Sequence, residues 1–222
     1  MDAIVVETGP NPAWAVIWLH GLGADGADFE AVVPELALPD VPAVRFIFPH
    51  APYQPVTCNG GYVMRAWYDI ISLARDSREI DEAGLLTSRQ RVWTLIAAEQ
   101  ARGIPAQRII LAGFSQGGAV AYLAGLTYPE RLGGIVALST YIPSPPLLRA
   151  ELVAAQLDIP IFAAHGDEDD VVAPELGEAA RDLLRELGAS PEWQSYPMPH
   201  SVCLEEIRDL GQWLRQRLKN AA

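Results

Sequence analysis

The chain has 222 residues, half of them apolar and a fifth charged, with 28 acidic side chains against 16 basic ones, a formal charge of -12 and two cysteines. A chain of this length buries roughly 70 to 75% of its unfolded surface as one globular domain without a disulfide framework or a structural metal, which excludes disordered and collagen-like classes. The bases are scattered and outnumbered, whereas binders of nucleic acid or anionic membranes gather Lys and Arg on one face, so neither partner is expected.

From the start of the chain, a weak strand pattern covers residues 3–7 and a stronger one 14–20. The first basic side chain is Arg45, so the charged segment of a secretory signal is missing. No apolar run approaches the roughly 18 residues of a membrane helix. Cys58 and Cys203 are too few and too far apart for a disulfide scaffold or a zinc motif and read as free thiols. A cytoplasmic protein without stable membrane insertion is expected.

Helical and strand patterns then alternate: helix 29–36, strand 44–48, helix 85–102, strand 108–114, helix 116–126, strands 134–138 and 159–165, helix 174–187, strand 192–196 and helix 204–218. The apolar runs Ile-Ile-Leu-Ala and Ile-Phe-Ala-Ala do not alternate with polar residues, as in strands covered on both faces of a parallel sheet. In the fourth helix Leu176, Ala179, Ala180, Leu183, Leu184 and Leu187 share one face, and Gly188 follows as a stop. There is no long repeat and no break in composition, so a single α/β domain over residues 1–222 is expected, a mostly parallel sheet with helices on both faces. Such sheets bind ligands beyond the carboxyl ends of their strands.

The loop after the second strand reads His20-Gly21-Leu22-Gly23-Ala24-Asp25-Gly26. Its Gly-x-Gly-x-x-Gly spacing is also that of a dinucleotide site, but the next strand ends in Pro49 and His50 rather than in the acid that holds a ribose. The alternative reading is that the glycines expose a backbone N–H, that of Leu22, which joins the N–H of Gln116 as an oxyanion hole, with His20 bracing the loop.

Gly113-Phe114-Ser115-Gln116-Gly117 follows a strand and opens a helix, the setting that the pattern Gly-x-Ser-x-Gly needs. Ser115 reads as a nucleophile on a tight turn, or as an ordinary helix cap. The nucleophilic reading requires a base and an acid, and both occur downstream. His200, in the loop Met198-Pro199-His200-Ser201, is the better base, and His165 closes an apolar strand and suits a structural role. In Asp167-Glu168-Asp169-Asp170, spacing alone leaves Asp169 and Asp170 level as partners of His200.

With these residues assembled, the chain resembles the phospholipase/carboxylesterase family, small serine hydrolases of the α/β-hydrolase fold related to acyl-protein thioesterases. The resemblance runs through Leu19-His20-Gly21-Leu22-Gly23-Ala24-Asp25, Pro49-His50-Ala51-Pro52, Ala66-Trp67-Tyr68-Asp69, the Ser115 motif, Leu138-Ser139-Thr140-Tyr141, the His165 turn and Tyr196-Pro197-Met198-x-His200. It implies Ser115, Asp169 and His200 as catalytic residues and Leu22 and Gln116 as oxyanion donors. Hydrolysis of esters with short to medium acyl chains is expected, or of thioesters or lysolipids by the same residues, with no metal or cofactor and a small-molecule ester or acyl substrate. Many relatives have proline after the acid where this chain has Asp170. The segment 53–64 corresponds to a variable region near the substrate entrance, and Trp67, Tyr68 and Met64 are expected at the acyl site. Assembly is not legible in the sequence, which is compatible with a homodimer.

Overall fold

The computed structural model describes residues 2–73 and 78–219. In chain order the strands are β1 (Ala3–Glu7), β2 (Trp14–Leu19), β3 (Val44–Pro49), β4 (Tyr53–Val56), β5 (Tyr62–Arg65), β6 (Ile70–Leu73), β7 (Arg78–Ile80), β8 (Ile109–Phe114), β9 (Gly134–Leu138), β10 (Ile161–Gly166) and β11 (Glu192–Tyr196). The helices are α1 (Val32–Glu35), α2 (Glu82–Ala101), α3 (Gln116–Leu126), α4 (Pro145–Glu151), α5 (Pro174–Glu186) and α6 (Leu204–Lys219).

Seven strands form one sheet in the order β1-β3-β2-β8-β9-β10-β11. β1 runs antiparallel to β3, and every other pair in this sheet is parallel. The fold is that of the α/β hydrolases. β2 explains the layering: all six of its residues are buried, and alternate ones serve opposite cores. Ala15, Ile17 and Leu19 face the core that takes Val92 and Ile96 of α2, Val120 of α3 and Leu184 of α5. Trp14, Val16 and Trp18 face the core completed by Val33 of α1 and by Leu210 and Leu214 of α6. A strand with two apolar faces has no solvent side, which is why the sequence shows a run there and not an alternation.

Register brings the functional loops together. Leu19 pairs with Gly113 and Phe114 with Leu138, so the turns at His20, Ser115 and Ser139 leave the sheet side by side. Among the described residues no helix is long and apolar enough to cross a membrane.

Several elements depart from the expected pattern. The helix expected over 29–36 is only the four-residue α1; Pro34 has no N–H to bond Glu30 O, which removes the helical bond of the preceding turn, and Ala37 at φ 45° turns the chain out of the helix. α2 begins three residues early, where Gly84 packs against the Asp81 side chain. The hairpin β4–β5, the ribbon β6–β7 and helix α4 were not anticipated. The strands of both pairs are only three or four residues long, too short for a period-2 pattern to register. The start of α4 did carry a signal: Ser144 accepts from Leu147 N at 3.4 Å and proline occupies the first helical turn.

Candidate active site

Ser115 joins β8 to α3 with φ 53° and ψ -122°. A positive φ is strained for a residue with a Cβ, and the surroundings hold it there. Ser115 N donates to Leu138 O at 2.9 Å, and Thr140 Oγ1 donates to Ser115 O at 2.7 Å. The flanking glycines are needed for approach. A Cβ on Gly113 would lie 2.4 Å from the Gly117 carbonyl, and one on Gly117 would lie 2.3 Å from Leu19 O. The turn is therefore wedged between two backbone segments, and the serine hydroxyl projects from its tip.

His200 Nε2 lies 2.9 Å from Ser115 Oγ, and His200 Nδ1 lies 2.6 Å from Asp169 Oδ2. A carboxylate only accepts, so it fixes the imidazole proton on Nδ1 and leaves Nε2 to receive the serine hydroxyl. The Phe114 ring packs on that imidazole with centroids 4.8 Å apart. Asp169 is buried, and its Oδ1 accepts from Val171 N at 2.9 Å and Val172 N at 2.8 Å. Burial alone would raise its pKa; hydrogen bonds from His165, His200 and Val172 N outweigh that and hold the carboxyl well below the usual range. Asp170, the other candidate, is exposed.

The loop after β2 is pinned at each end. His20 is buried, its Nδ1 donates to Gly21 O at 2.7 Å and its Nε2 accepts from Ala51 N at 3.0 Å, which makes it a neutral brace; burial lowers its pKa. Gly23, at φ 80°, donates to Arg65 O at 2.8 Å. Leu22 N has no backbone hydrogen-bond partner among the described residues. The Gln116 N–H opens α3, where first-turn N–H groups lack partners within the helix and the dipole is positive. The Gln116 side chain faces the other way, accepting from Trp67 N at 2.8 Å and donating to Tyr68 O at 2.8 Å.

A cleft of about 300 Å³ above Ser115 is lined by Leu22, Gln116 and His200 together with Ile70, Tyr141 and Val172. Trp67 and Met64, expected on the acyl site, do not line it. Trp67 is buried with its Nε1 donating to His20 O at 2.8 Å, so it supports the loop from behind. Met64 is half-buried and faces Gly23 and Asn59. Tyr68 is likewise buried, sharing a hydrogen bond with Tyr141 across 2.9 Å. Ile70 and Val172 were missed as cleft residues. Val172 follows the acid loop directly, a position that could have flagged it; Ile70 lies on a strand that had no signal.

The assembled geometry is a hydroxyl within hydrogen-bond reach of an imidazole that can deprotonate it as it attacks an electrophile. The chain matches the family described as phospholipase/carboxylesterase over residues 1–218. It is 44% identical over 216 residues to acyl-protein thioesterase 1 of Neurospora crassa, covering 93% of this chain and 88% of that one. It is 34% identical over 209 residues to carboxylesterase SOBER1 of Arabidopsis thaliana, covering 93% and 92%. The crystal structure of Zea mays acyl-protein thioesterase 2 superposes with a TM-score of 0.86 at 28% identity, covering 98% of this chain and 99% of that one.

Proposed function

The chain belongs to the phospholipase/carboxylesterase family and is a serine hydrolase of carboxylic esters, and on that premise we propose that Ser115, His200 and Asp169 carry its reaction through an acyl-enzyme. The observation that carries this reading is the unbroken contact from Asp169 Oδ2 through the His200 ring to Ser115 Oγ, at 2.6 and 2.9 Å. His200 takes the hydroxyl proton as Oγ attacks the ester carbonyl, and Asp169 stabilises the imidazolium that forms. Leu22 N and Gln116 N hold the oxyanion, each worth about 3 kcal/mol in the transition state. Collapse expels the alcohol, which takes its proton from His200. Water, deprotonated by the same imidazole, then frees the acid and restores Ser115.

The cleft is at the small end of the range for ligand pockets, about 300 to 1,000 Å³, which supports acyl chains of short to medium length. A second reading, hydrolysis of thioesters on acylated proteins, is favoured by the name of the 44% identical relative; lysolipid hydrolysis uses the same residues. Rates on p-nitrophenyl esters, acylated peptides and lysolipids separate the three. Labelling by a fluorophosphonate probe tests the site itself: the adduct is expected on Ser115, and a folded, active protein modified elsewhere overturns the assignment.

The reading extends to one catalytic domain, since the seven-stranded sheet includes both β1 and β11, from the two ends of the described chain. It includes a cytoplasmic location, supported by the unpaired Cys58 and Cys203, and a homodimer, for which Tyr53, Tyr62 and Val63 offer exposed apolar surface on the β4–β5 hairpin. Analytical ultracentrifugation tests the dimer.

A further inference from the structure

A second cavity, of about 440 Å³, shares no lining residue with the cleft among the described residues. Its walls include His50 and Ala51 after β3, Arg65 at the end of β5, and Arg91 of α2. We infer that this cavity is a binding site for a small oxyanion, the carboxylate or phosphate group of a ligand other than the ester being hydrolysed.

The inference rests on the unpartnered N–H donors of His50 and Arg91, with the Arg65 guanidinium beside them, around one space. His50 Nδ1 accepts from Gly26 N at 3.0 Å, so the neutral ring carries its proton on Nε2, a donor with no protein partner among the described residues. Arg65 spends one terminal nitrogen on Ala51 O at 2.8 Å and lies over the Tyr53 ring at 4.5 Å. Arg91 is half-buried and has no hydrogen bond or ion pair among the described residues.

Acids outnumber bases 28 to 16, and Arg45, Arg89, Arg149, Arg181 and Arg217 each hold a carboxylate. Arg91 does not, although Asp2 lines the same cavity. Two guanidinium groups and an imidazole N–H match the planar or tetrahedral oxygens of an oxyanion, for which Arg geometry is suited. Asp2 is the only acid among the described residues of the lining, and it sets a limit on the negative charge the site accepts.

The site is also wired to the chemistry. Its wall residues bond the loop after β2 three times, through His50 Nδ1 to Gly26 N, Ala51 N to His20 Nε2, and Arg65 O to Gly23 N. An anion held there bears on the segment that presents Leu22 N to the cleft.

Calorimetric titration of the full chain with inorganic phosphate and with acetate, at ionic strength matched with chloride, tests the site and separates phosphate from carboxylate recognition. Binding of at least one probe at millimolar concentration is expected. Arg91→Met should weaken it by about tenfold or more, Arg91→Lys should weaken it less, and Asp2→Asn should tighten it. Ser115→Ala should bind as the unaltered protein does, because the cleft is elsewhere. Circular dichroism verifies that each variant is folded. No heat with either probe, binding unchanged in folded Arg91→Met, or binding lost in Ser115→Ala would each overturn the inference.

Discussion

His165 Nε2 stands 3.4 Å from Asp169 Oδ2 and 2.8 Å from Val172 O, so the inner face of the acid loop is held by a second, fully buried imidazole. The Val172 carbonyl and the Asp169 carboxylate have the same donor. Replacing it with His165→Leu strands a buried carbonyl and should cost about 1 to 3 kcal/mol of stability. Loosening of Asp169 should also lower kcat with KM nearly unchanged. Urea unfolding and steady-state kinetics on a short ester read the two effects separately.

The glycine after Gln116 has no room for a side chain. Gly117→Ala places a Cβ 2.3 Å from Leu19 O and 2.5 Å from His20 O, which pushes β2 and the oxyanion loop away from Ser115. Activity should fall by about a hundredfold or more, the scale of a misplaced reacting group. Gly60→Ala is the contrast: Gly60 has φ 67° and nothing within 4 Å of a Cβ. It should cost stability by about 1 kcal/mol and leave kcat within twofold.

If Leu22 acts through its backbone, its side chain matters little. Leu22→Ala keeps the N–H and should retain activity within severalfold. Leu22→Pro removes the N–H and should lower kcat by about 10² to 10³. Equal losses in the two variants would place the role of Leu22 in its side chain.

Two buried carboxyl groups give opposite pH dependences of stability. The Glu206 carboxyl is buried, and burial, only partly offset by the Cys203 backbone, raises its pKa from 4.5 to about 8. The folded state therefore keeps a proton that the unfolded state has lost. The stability this group gives is full below about 4.5 and is lost as pH rises to about 8. Asp169 has a lowered folded pKa, so its stabilisation is present above the ordinary carboxylate pKa and disappears as pH falls below it. Glu206→Gln should flatten the decline between pH 5 and 8 and raise the unfolding temperature at pH 8, as a thermal-melt series over pH would register.

The layered sheet could be read from sequence because strands such as β2 bury both faces, which leaves uninterrupted apolar runs. The cleft walls could not. Ile70 lies on a short ribbon that pairs only with β7, and pairings of that kind depend on partners that no local pattern specifies. The residues His20, Ser115 and His200 were marked by the turns that carry them. Asp169 and Asp170 differ in burial, which adjacency in sequence conceals: the turn sends one carboxylate inward under Val171 N and Val172 N and the other to solvent. Trp67 was misplaced for a related reason, since an aromatic after a cleft-side loop reads the same whether its ring faces the ligand or the protein.

The central claim is that Asp169, and not its exposed neighbour, orients the base for Ser115. It is tested most directly by kcat/KM of Asp169→Asn and Asp170→Asn on one p-nitrophenyl ester at neutral pH. The account predicts a loss of about 10⁴ for Asp169→Asn, the size seen when an amide imposes the wrong tautomer on a histidine base, with Asp170→Asn within threefold of the unaltered enzyme. An Asp169→Asn enzyme of near-normal activity beside a crippled Asp170→Asn enzyme would contradict it.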